Sequence, residues 1–237
     1  MQKFPWIAAH TGCDGTPDNT IESFMEGIRL GADIVEIDIR IARDGTLVLL
    51  HDDHPSLHEC TYEQLNDAKV RRGISPAYEA RDIVRLGDLL PLARERQIQL
   101  NLDIKTPAAI EAVIRTVRQQ GMTDQVFITG CSEGITERHP DIRVVLNTPT
   151  RLTAEHYMLF AKRVCKAGTE GRCYGLNMKY ETCRRELVEL AHERGLAVWV
   201  YTLKEREDML RLIHAGVDAI TAKEVARLGG LKRELGQ

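Results

Sequence analysis

Residues 34–40 read Ile34-Val35-Glu36-Ile37-Asp38-Ile39-Arg40. Branched aliphatics recur here with a period of two, which predicts a β-strand. Its faces differ: Val35, Ile37 and Ile39 share one, and Glu36 and Asp38 share the other. A half-exposed strand of an ordinary sheet would show the same alternation. A second run, Leu100-Asn101-Leu102-Asp103-Ile104-Lys105, repeats it and sets Asn101, Asp103 and Lys105 on one face. Two such strands in one chain fit a barrel, in which aliphatic faces pack under helices and polar faces point inward near the C-terminal mouth.

The rest of the chain alternates the same way. Strands are predicted at Trp6 to His10, Ile34 to Ile41, Ile98 to Lys105, Val126 to Thr129, Arg143 to Leu146, Tyr174 to Met178, Ala197 to Thr202 and Ala219 to Thr221. Leu47 to His51 follows Asp44-Gly45, a hairpin turn signal, and is expected to fold back antiparallel on the second strand. Between the first two strands, Asn19 can cap a helix with Glu22 at its third position, and Ile21, Phe24, Met25 and Ile28 follow with helical spacing up to Gly31. Further helices are expected near Pro107 to Gln120, Leu152 to Ala167, Thr182 to Arg194 and Lys204 to Ala215, the last two stopped by Gly195 and Gly216. Eight strands with intervening helices predict a (β/α)8 TIM barrel with a small β-hairpin excursion after the second strand. An open doubly wound sheet is the alternative, but no Gly-rich phosphate fingerprint follows the first strand.

Composition narrows the function. At 237 residues the chain fits one barrel domain over residues 1–237. Hydrophobic residues at 43% and charged residues at 28% supply a large core and exclude a disordered class. A net charge of −3, with Lys and Arg spread along the chain, offers no basic field to nucleic acid. No run of about 18 apolar residues and no apolar N-terminal segment occurs, so membrane insertion is not expected and the cytoplasm is the expected location. Cys13, Cys60, Cys131, Cys165, Cys173 and Cys183 lack the spacing of a structural zinc site and read as reduced thiols. The sequence leaves a homo-oligomer open.

Three inward carboxylates, Glu36, Asp38 and Asp103, form an all-oxygen cluster suited to a hard divalent cation, Mg²⁺ or Ca²⁺. Without an ion they would repel one another and be poorly solvated. Lys105 beside them reads as a phosphate-binding cation, with a structural counter-ion or an imine-forming lysine as alternatives. His10 closes the first strand before Thr11-Gly12, and His51 closes the hairpin run before Asp52-Asp53. Two histidines at one mouth with an acidic cluster suit an acid and base pair for phosphoryl transfer. His54, His58, His139, His156, His192 and His214 fall in loops or on helices and read as structural or solvated.

His10-Thr11-Gly12, Pro17-Asp18-Asn19-Thr20, Gly31 to Asp38, Asp44-Gly45, His51-Asp52, Asp103-Ile104-Lys105 and Trp199-Val200-Tyr201-Thr202 follow one another in an order and spacing that resembles the glycerophosphodiester phosphodiesterases, from about Ala8 to Ile220. The resemblance implies a (β/α)8 barrel and a small-molecule phosphodiester substrate cleaved to a phosphomonoester and an alcohol. It also implies one divalent ion held by Glu36, Asp38 and Asp103, with His10 and His51 as the catalytic pair. Attack by a neighbouring substrate hydroxyl, through a cyclic phosphate, is implied as well. Thr11 stands where the family usually has a phosphate-holding Arg, so a charge and a bidentate fork are missing. Asp103 replaces a usual Glu, Tyr201 a common Trp, and Ala222-Lys223 a usual Thr-Asp. Thr11 and Tyr201 are therefore read with Lys105 as substrate-binding positions, a sugar or other polyol diester is the competing substrate, and a non-catalytic phosphodiester-binding protein is the competing class.

Overall fold

A computed structural model describes residues 3–152 and 156–236 of the protein. Nine strands occur among them: β1 (Trp6–Ala9), β2 (Ile34–Ile41), β3 (Leu47–Leu49), β4 (Gln99–Ile104), β5 (Val126–Gly130), β6 (Arg143–Asn147), β7 (Gly175–Lys179), β8 (Ala197–Leu203) and β9 (Ala219–Ala222). Eight are parallel and close into a ring, β1-β2-β4-β5-β6-β7-β8-β9, with β1 bonded to both β2 and β9. β3 lies outside it, antiparallel to β2 through Ile39↔Leu49 and Ile41↔Leu47. The barrel and its hairpin excursion thus match the reading of the sequence.

Each ring strand leads into a helix: Ile21–Arg29, Leu86–Glu95, Ile110–Gln119, Ile135–Arg138, Tyr157–Glu170, Arg185–His192, Arg206–Ala215 and Val225–Glu234. The expected helix from Leu152 begins at Tyr157 instead, and residues 153–155 lie outside the described part of the chain. The helix near Pro107 opens as a 3-10 turn, Pro107–Ala109, because proline has no N–H and suits a first turn. Gly216, with φ 91°, ends Arg206–Ala215 in a left-handed cap as its position suggests. The cap of the first helix differs from expectation. Thr20, not Asn19, is its N-cap, accepting from the Ser23 N–H, while Asn19 turns inward.

Strand parity splits the apolar residues into two cores. Outward residues, among them Val35, Ile37, Ile39, Leu100, Leu102, Ile104, Ile128 and Val200, pack under the helices. Inward residues Ala8, Ile34, Phe127, Val145, Trp199 and Ala219, with Trp6 beside them, fill the lower barrel. There the Phe127 and Trp199 rings meet at 4.7 Å and 63°, and the Arg143 guanidinium lies 3.9 Å over Phe127. A third, smaller core of Ala42, Val48, Leu50, Leu57, Leu65, Tyr78 and Ile83 holds the excursion that follows β2. No helix among the described residues is long and apolar enough to cross a membrane. All six cysteines carry free thiols.

Gly27 shows how closely the helical shell sits on the ring. A Cβ there would come 2.7 Å from Ala9 Cβ on β1 and 3.4 Å from Val35 on β2. Glycine to alanine in a helix interior ordinarily gains about 1 kcal/mol. Because Ala9 Cβ is fixed to the strand and cannot swing away, overpacking wins, and Gly27→Ala should cost on the order of 1–3 kcal/mol. Urea unfolding of the two proteins decides the sign, and a stabilised variant would contradict this packing.

Candidate active site

The parity that sends Phe127 and Trp199 into the barrel floor sends polar residues inward two positions later. Glu36, Asn101, Asp103, Thr129, Asn147, Asn177, Tyr201 and Thr221 come from seven different strands, and with His10, His51, Lys105 and Thr202 they line a cavity of about 370 Å³ at the C-terminal mouth. A larger recess, about 450 Å³, opens at the opposite end around Trp6, Tyr174 and Trp199. Its acid, Asp218, is already paired with His192 at 2.8 Å, so the chemistry concentrates at the mouth.

Glu36, Asp38 and Asp103 each offer an oxygen within 4.8 Å of the others, and among the described residues no other group of three His, Cys, Asp or Glu side chains is so disposed. β2 and β4 pair in register, Asp38 opposite Asp103 and Glu36 opposite Asn101, which sets the acids side by side. Glu36 and Asp38 are buried, 6% and 1% exposed. Burial first, then the Asp38 and Asp103 charges, push the Glu36 carboxyl well above the usual carboxylate range. Asp103 Oδ1 is buried with no hydrogen-bond partner. Gly130, at φ +74°, allows β5 to pass over it, since a Cβ there would come 2.3 Å from that oxygen. An unpaired carboxylate oxygen in an all-oxygen cluster is a donor set that fits a hard divalent cation.

Protein groups offset part of this charge. The Thr11 N–H donates to Glu36 Oε2 at 3.1 Å. Asn19 grips Asp38 at two points, its Nδ2 donating to Asp38 Oδ2 at 2.8 Å and its Oδ1 accepting from the Asp38 N–H at 3.0 Å. Its backbone is left-handed, φ 58°, which asparagine tolerates better than most residues, and its N–H donates to the Thr11 hydroxyl. Lys105 Nζ lies 2.8 Å from Asp38 Oδ1 as an ion pair and donates to Asp103 Oδ2 at 2.5 Å. Burial disfavours its charged form, but those two carboxylates outweigh burial and hold it above the ordinary lysine range.

The two histidines differ. His10 is part-buried, and its Nδ1 lies 2.6 Å from the Thr11 carbonyl oxygen. A carbonyl can only accept, so Nδ1 carries the hydrogen and Nε2, 4.0 Å from Glu36 Oε2, carries the lone pair whenever the ring is neutral. Burial lowers the His10 pKa; the Thr11 carbonyl opposes it, and Lys223 lowers it further. His51 is exposed at the rim on the excursion, its Nδ1 2.7 Å from Asp52 Oδ1, and that bond holds the Asp52 carboxyl below its usual range. Arg40 fixes this segment, donating through Nε to the His51 carbonyl at 2.9 Å and pairing with Asp53 at 3.3 Å.

The structure therefore brings His10, Glu36, Asp103, Lys105, His51 and Tyr201 to one cavity, with Asp38 buried beneath Lys105. Thr11 does not line it; its hydroxyl is spent on the Asn19 turn. Lys223 extends to Asp18, 3.5 Å away. Of the remaining histidines, His54 and His156 cap helices, and His58, His139 and His192 pair with acids. Asn147, Asn177, Thr129, Thr202 and Thr221 were not among the sequence-derived candidates. Their one signal is a polar residue near the C-terminal end of an apolar strand.

The profile of the Glycerophosphoryl diester phosphodiesterase family matches residues 10–226. A glycerophosphodiester phosphodiesterase of Caldanaerobacter subterraneus subsp. tengcongensis is 26% identical over 97% of this chain and 98% of its own. A crystal structure of a glycerophosphodiester phosphodiesterase from Parabacteroides distasonis covers 100% of both chains with TM-score 0.82 at 20% identity. An Oleispira antarctica phosphodiesterase in complex with the product sn-glycerol-3-phosphate covers 96% of each chain with TM-score 0.78, also at 20% identity. With the match spanning nearly the whole barrel, the chain belongs to the glycerophosphoryl diester phosphodiesterase family and is an enzyme of the phosphoric diester hydrolase type.

Proposed function

We propose that residues 1–237 act as one barrel domain that hydrolyses a glycerophosphodiester, such as a deacylated phospholipid head group, to a phosphomonoester and an alcohol. That substrate would place it in lipid and glycerol metabolism. The observation that carries the reading is the meeting of Glu36, Asp38, Asp103 and Lys105 with His10 and His51 around one mouth. The product named in the Oleispira antarctica complex, sn-glycerol-3-phosphate, is of the class expected here.

Glu36, Asp38 and Asp103 would hold Mg²⁺ or Ca²⁺. Bound there, the ion supplies Lewis-acid stabilisation of charge on the phosphoryl oxygens. His10, whose neutral form burial favours and whose lone pair then lies on Nε2, suits the base that takes the proton of the nucleophile, a water or a neighbouring substrate hydroxyl. His51, backed by the Asp52 carboxylate, suits the acid that delivers a proton to the leaving oxygen. Lys105, the cation that lines the cavity beside the cluster, would neutralise a non-bridging oxygen.

A panel of glycerophosphodiesters assayed with Mg²⁺, with Ca²⁺ and with chelator tests the whole reading. Turnover should vanish on chelation and return with one of the two ions; metal-independent turnover would sink the metal assignment. Lys105→Ala should lower kcat/KM by roughly 10²–10³, the cost of losing one preorganised charge-stabilising donor. That variant also leaves Asp38 and Asp103 without their cation, so stability is followed in parallel. Added ion should restore the Tm and not the turnover, and a negligible effect on kcat/KM would refute the phosphate role.

Glu36 generates a pH test. Its folded pKa lies above the unfolded value, so it favours the folded state below the unfolded pKa, and this contribution is lost as pH rises through the raised folded value. In chelator, Glu36→Gln should flatten that loss and be the more stable protein at neutral pH while binding no ion. Parallel Tm-against-pH curves for the two proteins would show that Glu36 is not buried with its charge opposed.

A further inference from the structure

The cavity has two walls of different chemistry. Around the ring, β7 stands four strands from β2 and β6 three, so their mouths face the Glu36 and Asp38 strand across the barrel. Asn147 ends β6 and is the register partner of Asn177 on β7. The Asn177 amide donates to Asn147 Oδ1 at 2.8 Å. Asn177 is buried, 8% exposed, Asn147 is exposed at the rim, and both line the cavity.

A side-chain amide offers two donor hydrogens and a carbonyl oxygen with two acceptor sites. The bond between Asn147 and Asn177 uses one donor and one acceptor and locks the two planes together. Among the described residues neither side-chain amide makes another hydrogen bond, which leaves donors and acceptors side by side on a fixed platform. Thr202 and Thr221 add neutral hydroxyls to the same cavity. A row of mixed donors and acceptors matches vicinal hydroxyl groups, each of which also donates and accepts.

The same wall lacks what a quaternary ammonium needs. Cationic alcohols are held by several aromatic faces or by an unpaired carboxylate. Among the described residues Tyr201 is the one Phe, Tyr or Trp side chain that lines this cavity. Glu181, just beyond β7, is paired with Lys179 at 3.2 Å, and the acids opposite are the set that would hold the divalent ion, with Asp38 and Asp103 paired to Lys105 as well.

We propose that the Asn147–Asn177 pair is the subsite for the leaving alcohol of the diester and takes a neutral polyhydroxy alcohol, a glycerol, cyclitol or sugar, in preference to a choline-like cation. This rests on the reading of the cavity as the site of phosphodiester hydrolysis. A site built to hydrogen-bond a substrate hydroxyl discriminates strongly against an arm that lacks it, because its buried polar groups are then left unpaired.

The test compares kcat/KM for esters of glycerol 3-phosphate with glycerol, with inositol and with choline, at saturating Mg²⁺ or Ca²⁺. The polyol esters should exceed the choline ester by about a hundredfold or more, well within the range open to a hydrogen-bonding site. Asn147→Ala, at the exposed rim where folding is not at risk, should reduce that ratio by roughly tenfold, the value of one hydrogen bond of about 1.4 kcal/mol. Asn147→Asp keeps the shape, adds a carboxylate, and should shift preference further toward choline. Equal turnover of all three esters by the wild-type protein, or a ratio that neither variant moves, would overturn the subsite alone. No hydrolysis of any ester with either ion would overturn the parent reading and the subsite together.

Discussion

Negative charge withdrawn from water is the constraint around which this barrel is arranged. Glu36, Asp38 and Asp103 converge where the described residues offer them one lysine, one asparagine and one backbone N–H. Burying a carboxylate without such partners costs several kcal/mol per ion. Each neighbouring irregularity answers that cost. Asn19 adopts a left-handed backbone so that its amide can reach both ends of Asp38, and Thr11 spends its hydroxyl holding Asn19 there. Gly130 stands where any side chain would collide with Asp103.

This arrangement gives Thr11 a meaning that its position in the chain does not suggest. Beside the phosphate-holding Arg usual at that place, threonine looks like a loss of charge. In the fold it is a connector: its N–H serves Glu36 and its hydroxyl serves Asn19, so both acids of β2 are oriented through one residue. Arg40, the other basic side chain near the acid strand, is held by the His51 carbonyl and Asp53. Lys105 thus stands as the cation that both lines the cavity and neutralises the cluster.

Much of this was legible because a strand in a closed barrel converts a period of two directly into inside and outside. The eight ring strands, the excursion from Asp44-Gly45, and the meeting of Glu36 with Asp103 follow from that rule. Where the period fails, the reading stops. The helices between Pro55 and Ile74 are too short to show a helical repeat, and Leu86–Glu95 is disguised by Pro91 inside it. Asn19 looked like a cap because asparagine is among the best N-cap residues, but a buried carboxylate competed for the same amide and won. Asn147 and Asn177 are single polar residues at strand ends, and their pairing depends on a register that becomes visible only once β6 and β7 lie side by side.

The floor of interlocked rings has a last consequence. Phe127, Trp199 and Trp6 fill the interior below the polar layer, so the barrel is a blind well and not a tunnel. Whatever enters must pass the rim where His51 and Tyr201 stand, and both halves of a cleaved molecule must leave by the same opening. Entry and exit therefore share one opening, and a fresh molecule competes with the departing halves for the same passage.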